Sequence, residues 1–191
     1  MKLYFATGNA HKLDEARAVL KEYGITVEQL DDKGSEDKEA TIQEVAQRAA
    51  RELARKHKKP IIVDDTGIFF EAYKNFPGAH PRLMFECLGY KGLLKLLEGD
   101  VREVMREAHF LCCVAFCMPG KEPVLFEGRL NGSITEKVHD LGTDVMPYER
   151  IFVPNGMKKT ISALTRDEKN KISHRARAVN KLVDFLNKHP L

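Results

Sequence analysis

The sequence predicts an α/β fold in which a strand–helix alternating part is joined to a smaller antiparallel block. Three observations carry that expectation. Residues 2–6 are a short apolar run that ends in Thr7-Gly8-Asn9-Ala10-His11-Lys12. Apolar positions Leu13, Ala16, Leu20 and Tyr23 follow at helical spacing and stop at Gly24. Pro60-Ile61-Ile62-Val63-Asp64-Asp65-Thr66-Gly67 is an apolar run ending in two carboxylates, as when a buried strand delivers acids to the ligand-binding edge of an α/β sheet. Residues 104–118 and 124–134 are β-rich runs turned by Pro119-Gly120, in contrast to the alternation before them. A chain of 191 residues can fill one domain with two lobes. The first lobe is expected at residues 1–99 with 146–191, the second at 100–145.

Composition narrows the function classes. Hydrophobic content of 43% and charged content of 31% are those of a globular protein. No apolar run approaches the roughly 18 residues of a membrane span, so no membrane partner is expected. The N-terminal run lacks the layout of a secretory signal, which makes a cytoplasmic setting the expectation. A net charge of +3, with no dense basic stripe, argues against nucleic acid as a partner but allows a positive pocket for a phosphorylated ligand. Cys112, Cys113 and Cys117 lie in a strand-like run without paired metal-ligand spacing, so buried thiols are expected.

The elements follow in order. In a strand, glycine turn and helix, the free N–H groups of the first helical turn face whatever sits above the strand, and Lys12 adds a full charge there. Thr7 or Asn9 could equally serve only to cap the helix. Residues 25–30 alternate as a second strand, followed by a loop carrying Asp31, Asp32, Glu36, Asp37 and Glu39. Thr41-Ile42-Gln43-Glu44 fits a capping box opening a helix with Ile42, Ala46, Ala49 and Leu53 inward. Its basic tail, Arg55 to Lys59, suits the negative helix end. Asp64 and Asp65 call for a metal, a basic partner or water, or else form a solvated turn. After Gly67, residues 68–73 read as a second strand-like run, and 82–97 as a helix broken around Gly89. Asn131-Gly132 suggests a tight turn. Residues 151–154 are a short strand, and Thr165-Arg166-Asp167-Glu168 is a second capping box. Ser173-His174-Arg175 opens the last helix, with Ala176, Val179, Val183 and Leu186 inward. Cations on a first helical turn oppose the dipole and hint at a ligand, although a histidine there is also an ordinary surface group.

Four blocks together resemble the inosine triphosphate pyrophosphatase family, hydrolases of non-canonical purine nucleoside triphosphates. They are Thr7-Gly8-Asn9-Ala10-His11-Lys12, Val63-Asp64-Asp65-Thr66-Gly67, Phe76-Pro77-Gly78, and the run from Leu164 through Lys169 to His174-Arg175. The resemblance covers nearly the whole chain. It implies an elongated mixed β-sheet flanked by helices, with two lobes and the active site in a central cleft, a homodimer, and Mg²⁺ as cofactor. It also implies that the Thr7 to Lys12 block holds the triphosphate and that Asp65 binds metal and accepts a proton from water. Thr66 and Lys169 would contact substrate, and His174 and Arg175 would lie close to the base. A second metal acid belongs after the second strand, where counting back from Glu44 gives Asp37, with Glu36 as a one-residue shift. Asp64 is left a supporting role, in the second rank or assisting the metal.

The reaction so implied cleaves ITP, dITP or XTP between the α- and β-phosphoryl groups, giving the monophosphate and pyrophosphate. Two segments depart from the family pattern. Met146-Pro147-Tyr148-Glu149-Arg150 replaces aromatic-glycine-tyrosine-aspartate-proline along the base pocket: Tyr148 keeps its place, Glu149 lengthens the acid, and Pro147 and Arg150 change the backbone and charge, with Tyr148 and Glu149 still expected to contact substrate. His80-Pro81 replaces tyrosine-serine after Pro77-Gly78. The alternatives left open are the same reaction with another base preference, or a nucleotide-binding protein with weak or no catalysis.

Overall fold

The computed structural model describes residues 1–32, 34, 40–98 and 105–189. Among these residues it is a mixed α/β fold with seven strands and five helices. The strands are β1 (Lys2–Ala6), β2 (Thr26–Leu30), β3 (Ile61–Phe70), β4 (Pro77–Gly78), β5 (Glu107–Cys117), β6 (Val124–Ile134) and β7 (Phe152–Pro154). The helices are α1 (Ala10–Glu22), α2 (Ile42–His57), α3 (Pro81–Lys95), α4 (Arg166–Ile172) and α5 (His174–Lys188). Strand order is β2-β1-β3-β5-β6-β7, with β4 paired to β3. Strand β1 pairs in parallel with both β2 and β3, with Lys2 opposite Thr26 and Tyr4 opposite Ile61. That register carries Ala6 and Thr7 to the same end of the sheet as the acids of β3.

Two compact units divide the chain. One comprises Met1–Thr66, Cys112–Arg129 and Asn170–Leu191, the other Gly67–Leu111 and Leu130–Lys169. In the first, Leu3 and Phe5 of β1, Leu13, Ala16 and Leu20 of α1, Cys112 and Val114 of β5, and Val179, Leu182 and Val183 of α5 share one core. The helical spacing seen in the sequence is the geometry that turns these α1 and α5 residues inward. In the second, Ile68, Phe70, Leu93, Phe110, Leu130, Phe152 and Ile161 form a separate core. Three of the four cysteines, Cys112, Cys113 and Cys117, are buried free thiols as expected, while Cys87 is exposed.

Local signals mostly hold. Thr41 and Glu44 form the reciprocal capping box, and Glu168 accepts from the Thr165 N–H while Thr165 Oγ1 accepts from Glu168. The helix at 81–95 breaks at Gly89, where φ is 58°. Two expectations fail. The run after Gly67 is no second strand, because β3 continues through the glycine to Phe70. Nor do Asn131 and Gly132 turn the chain, since β6 passes straight through them. Gly132 pairs with Pro154 of β7, and a Cβ there would sit 2.5 Å from the Phe152 ring. The glycine makes room for a neighbouring strand, and its turn preference is overridden by pairing.

Candidate active site

In the first unit the strand–turn–helix at Ala6 to Lys12 is organised from within. Asn9 is the N-cap of α1, its Oδ1 accepting from the N–H groups of His11 (3.0 Å) and Lys12 (3.3 Å). Thr7 Oγ1 accepts from Asn9 N–H at 3.1 Å. Thr7 thus shapes the loop and Asn9 caps the helix, which satisfies two of the first-turn donors internally. Gly8 and Ala10 are exposed beside them. The remaining positive charge is that of Lys12, whose ammonium reaches the end of β3, 2.9 Å from Asp64 Oδ1 and 3.4 Å from the Asp64 carbonyl.

The two acids of β3 have different surroundings, because successive strand residues face opposite sides of a sheet. Asp64 is buried, and its Oδ2 accepts from Arg175 Nε at 2.7 Å. Asp65 is half-buried, and its Oδ1 accepts from the Thr66 N–H at 3.0 Å. Arg175 is 1% exposed, at the first turn of α5, and also donates to Glu15 at 2.5 Å and to Thr66 Oγ1 at 3.4 Å. Glu15, Arg175, Asp64 and Lys12 therefore alternate in charge and sum to zero, the condition under which buried ions are tolerated. Burial alone would push the Asp64 carboxyl up, but Lys12 and Arg175 outweigh it and hold it well below the usual carboxylate range. Burial likewise works against the Arg175 charge, and Asp64 and Glu15 override it, so the guanidinium stays charged. On the floor of this network the Cys112 thiol donates to Asp64 Oδ2 at 3.8 Å, and burial pushes it up to about 12.

Two contributors escaped the sequence reading. Glu15 lies one residue before Ala16 and four before Val19, on the buried stripe of α1, so an acid on an inward stripe was the available signal. Gly128 lies in the middle of β6 beneath the first turn of α5. A Cβ there would stand 1.9 Å from the His174 carbonyl oxygen and 2.6 Å from the Ala178 nitrogen. Only a glycine lets the strand approach the helix backbone that carries His174 and Arg175. His174 itself is buried, at 2% exposure, so it is no ordinary surface group at a helix start. Ser173 caps that helix through the Ala176 N–H.

The second unit holds the other predicted residues. Residues 147–150 form a 3₁₀ turn that buries Tyr148 and Glu149. The Tyr148 hydroxyl donates to the Pro81 carbonyl at 3.0 Å, and its ring meets Phe70 and Phe85 edge-on. Burial raises the Tyr148 phenol above its ordinary value, so it is a neutral donor at physiological pH. Glu149, 2% exposed, pairs with Lys169 of α4 at 2.5 Å. Pro147 accepts from the Tyr90 hydroxyl, so both departures from the family pattern, at 80–81 and 146–150, meet α3.

The metal expectation is tested by donor chemistry. Mg²⁺ takes oxygen ligands, with one or two carboxylates beside phosphate oxygens and waters. Asp65 offers a hard carboxylate at the strand end, which fits such a set. Asp37 and Glu36 lie outside the described residues. Among the described residues no group of three or more His, Cys, Asp or Glu could hold a metal, so an ion here would lean on substrate and solvent oxygens.

This geometry has close counterparts. The family model described as the Ham1 family matches residues 3–185. The chain belongs to the Ham1 family. The resemblance read from its four blocks is borne out. A protein of Methanopyrus kandleri named dITP/XTP pyrophosphatase is 40% identical over 97% of this chain and 96% of its own. Its namesake in Thermococcus kodakarensis is 37% identical over 97% of each. Among solved Ham1 structures, that of the Staphylococcus aureus Ham1 protein superposes with a TM-score of 0.79 at 25% identity, covering 98% of this chain and 99% of that one. The dITP/XTP pyrophosphatase of Mycobacterium abscessus gives 0.70 at 30% identity, over 97% and 100%.

Proposed function

We propose that this protein hydrolyses the triphosphates of deaminated purines (ITP, dITP and XTP) to the monophosphate and pyrophosphate. The observation that carries the reading is the match, across 97% of the chain, to Ham1-family proteins named dITP/XTP pyrophosphatase. The phosphate-side geometry supports it, with a lysine from a helix N-terminus and two carboxylates meeting at one strand end.

The roles are those the family resemblance implies, and the surroundings of several groups support them. Thr7, Gly8, Asn9, Ala10 and His11 offer a short loop at the positive end of α1 for the triphosphate, and Lys12 neutralises its charge. Asp65, half-buried and next to the substrate hydroxyl donor Thr66, orients the attacking water and accepts its proton. Mg²⁺, held by Asp65 with Asp37 or Glu36, would supply charge neutralisation on the phosphoryl oxygens. Tyr148, Glu149, Lys169 and His174 contact the nucleotide in this reading, with His174 and the first turn of α5 close to the base and Arg175 fixing that turn through Asp64, Glu15 and Thr66. Buried polar groups of this kind discriminate by being left unpaired with the wrong base. No helix among the described residues is long and apolar enough to cross a membrane. A cytoplasmic homodimer is part of the same proposal, and sedimentation velocity tests the dimer.

The test is release of monophosphate and pyrophosphate from a panel of deaminated, amino and modified nucleotides, with and without Mg²⁺. Preference for ITP, dITP and XTP with pyrophosphate as co-product is the expected outcome. Release of single phosphate would overturn the reaction. Equal turnover of a standard nucleotide would favour the reading with a different base preference, which Glu149 and His80-Pro81 motivate. Tight binding without turnover at any metal concentration would favour a nucleotide-binding protein.

A further inference from the structure

We propose that Asp64 is a positioning residue: a clamp that sets Lys12 and the first turn of α5 in one register, and that does not ligate metal. The inference rests on the pyrophosphatase reading for what Lys12 binds, while the clamp itself stands on geometry. Both carboxylate oxygens are committed. Oδ1 lies 2.9 Å from the Lys12 ammonium, and Oδ2 accepts from Arg175 at 2.7 Å and from the Cys112 thiol at 3.8 Å. With its side chain 1% exposed, Asp64 ties α1, α5 and β5 to β3 at a single point.

Two physical needs are met there. A lysine arm is flexible, and holding its ammonium in place before the substrate arrives removes part of the ordering cost of binding. A buried guanidinium at the positive end of α5 is unfavourable alone and needs acids on more than one side, which Glu15 and Asp64 supply. Metal ligation by Asp64 is disfavoured for the same reason. A divalent ion on either oxygen would stand next to two cations already within 2.9 Å of the carboxylate, without water to screen them.

The proposal has a sign that simple electrostatics lacks. Deleting a negative charge beside an anion site should tighten anion binding if Asp64 is only a nearby charge. Deleting a clamp should weaken it. The probe is inorganic tripolyphosphate, titrated by calorimetry into the full chain with a chelator present, wild type against Asp64→Asn. Thermal unfolding checks that the variant is folded. About tenfold weaker binding is expected, the order of one hydrogen bond to a charged group. Equal or tighter binding overturns the clamp. Should Asp64→Asn not fold, Asp64→Glu keeps the charge but lengthens the arm. A clamp then loses about threefold in affinity, and unchanged affinity overturns it.

Under turnover, KM should rise in the variant while the Mg²⁺ concentration for half-activation stays within about twofold, as for a site whose ligands are intact. A tenfold rise in Mg²⁺ requirement would mark Asp64 as a ligand and overturn the proposal. A wild-type chain that binds tripolyphosphate but releases no pyrophosphate from any nucleotide defeats the pyrophosphatase reading and leaves the clamp standing. Failure of the wild type to bind tripolyphosphate overturns the clamp, because Lys12 then has no anion to be positioned for.

Discussion

The two units each bury an acid against a lysine, and they do it differently. In the first, Asp64 is held by Lys12 and Arg175 together, Arg175 is held in turn by Glu15, and four elements converge on the network. In the second, Glu149 sits on a 3₁₀ turn and pairs with one lysine, Lys169, on a seven-residue helix. The first arrangement is held at its centre, where Asp64 and Arg175 each meet two opposite charges, and regular elements carry all four ions. The second joins a 3₁₀ turn to a short helix through the Glu149–Lys169 pair. The lesson is that the acid pair of β3 stands on regular elements, whereas Tyr148 and Glu149, two of the residues expected near the base, stand on a 3₁₀ turn that a few substitutions can reshape. It is there that the sequence departs from its family pattern.

The largest expected effect separates chemistry from this framework. Asp65→Asn, on the half-buried acid, should lower pyrophosphate release roughly 10³-fold, within the range for a lost general base, while its thermal unfolding stays close to wild type. A variant with near-normal turnover would remove Asp65 from the reaction. Gly128→Ala should do the reverse and strike the framework. Its new methyl meets backbone atoms of α5, so a loss of about 3 kcal/mol is expected in denaturant unfolding. A loss under about 0.5 kcal/mol would mean that the strand and helix can separate at no cost.

Glu149→Gln sharpens the comparison from the other side. Breaking one pair whose lysine is 15% exposed should cost about 1–2 kcal/mol, less than the roughly 3–5 typical of a fully buried pair. The ratio of ITP to ATP turnover should nevertheless fall if Glu149 contacts the base as proposed. An unchanged ratio would show that Glu149 does not read the base.

Acid should expose the same asymmetry. The folded Asp64 carboxyl is depressed, so its contribution is present above the unfolded carboxylate range and is lost as pH falls toward the folded value. Unfolding free energy should therefore drop on acidification below about pH 4. That slope should be shallower in Asp64→Asn, and an identical slope would show that the network does not drive it. The smallest effect is chemical. A thiol reagent at neutral pH should titrate Cys87 alone in the folded protein, since burial pushes Cys112 and Cys113 up to about 12. Fast reaction of a second thiol would indicate that β5 opens.

Much of this was legible in the chain. Apolar spacing located α1, α2 and α5, capping boxes marked Thr41 and Thr165, and the four motif blocks led to the family. Failures came where a neighbour outvoted a local preference. Asn131-Gly132 has the composition of a turn, but pairing with β7 and the Phe152 ring keep it in a strand. Glu15 reads as one more charge on a helix until Arg175 appears beside it.

By itself the sequence determined most of the helices, the family and the place where two acids meet a glycine turn, because periodicity and motifs are written in neighbouring residues. Only the tertiary structure showed what holds Asp64. The partners that do so lie 52 residues from Asp64 at Lys12 and 111 residues away at Arg175, with Glu15 a further 160 from that arginine. No local pattern encodes such pairings. They follow from packing α1, β3, β5 and α5 around one core, after which burial forces each charge to find its opposite.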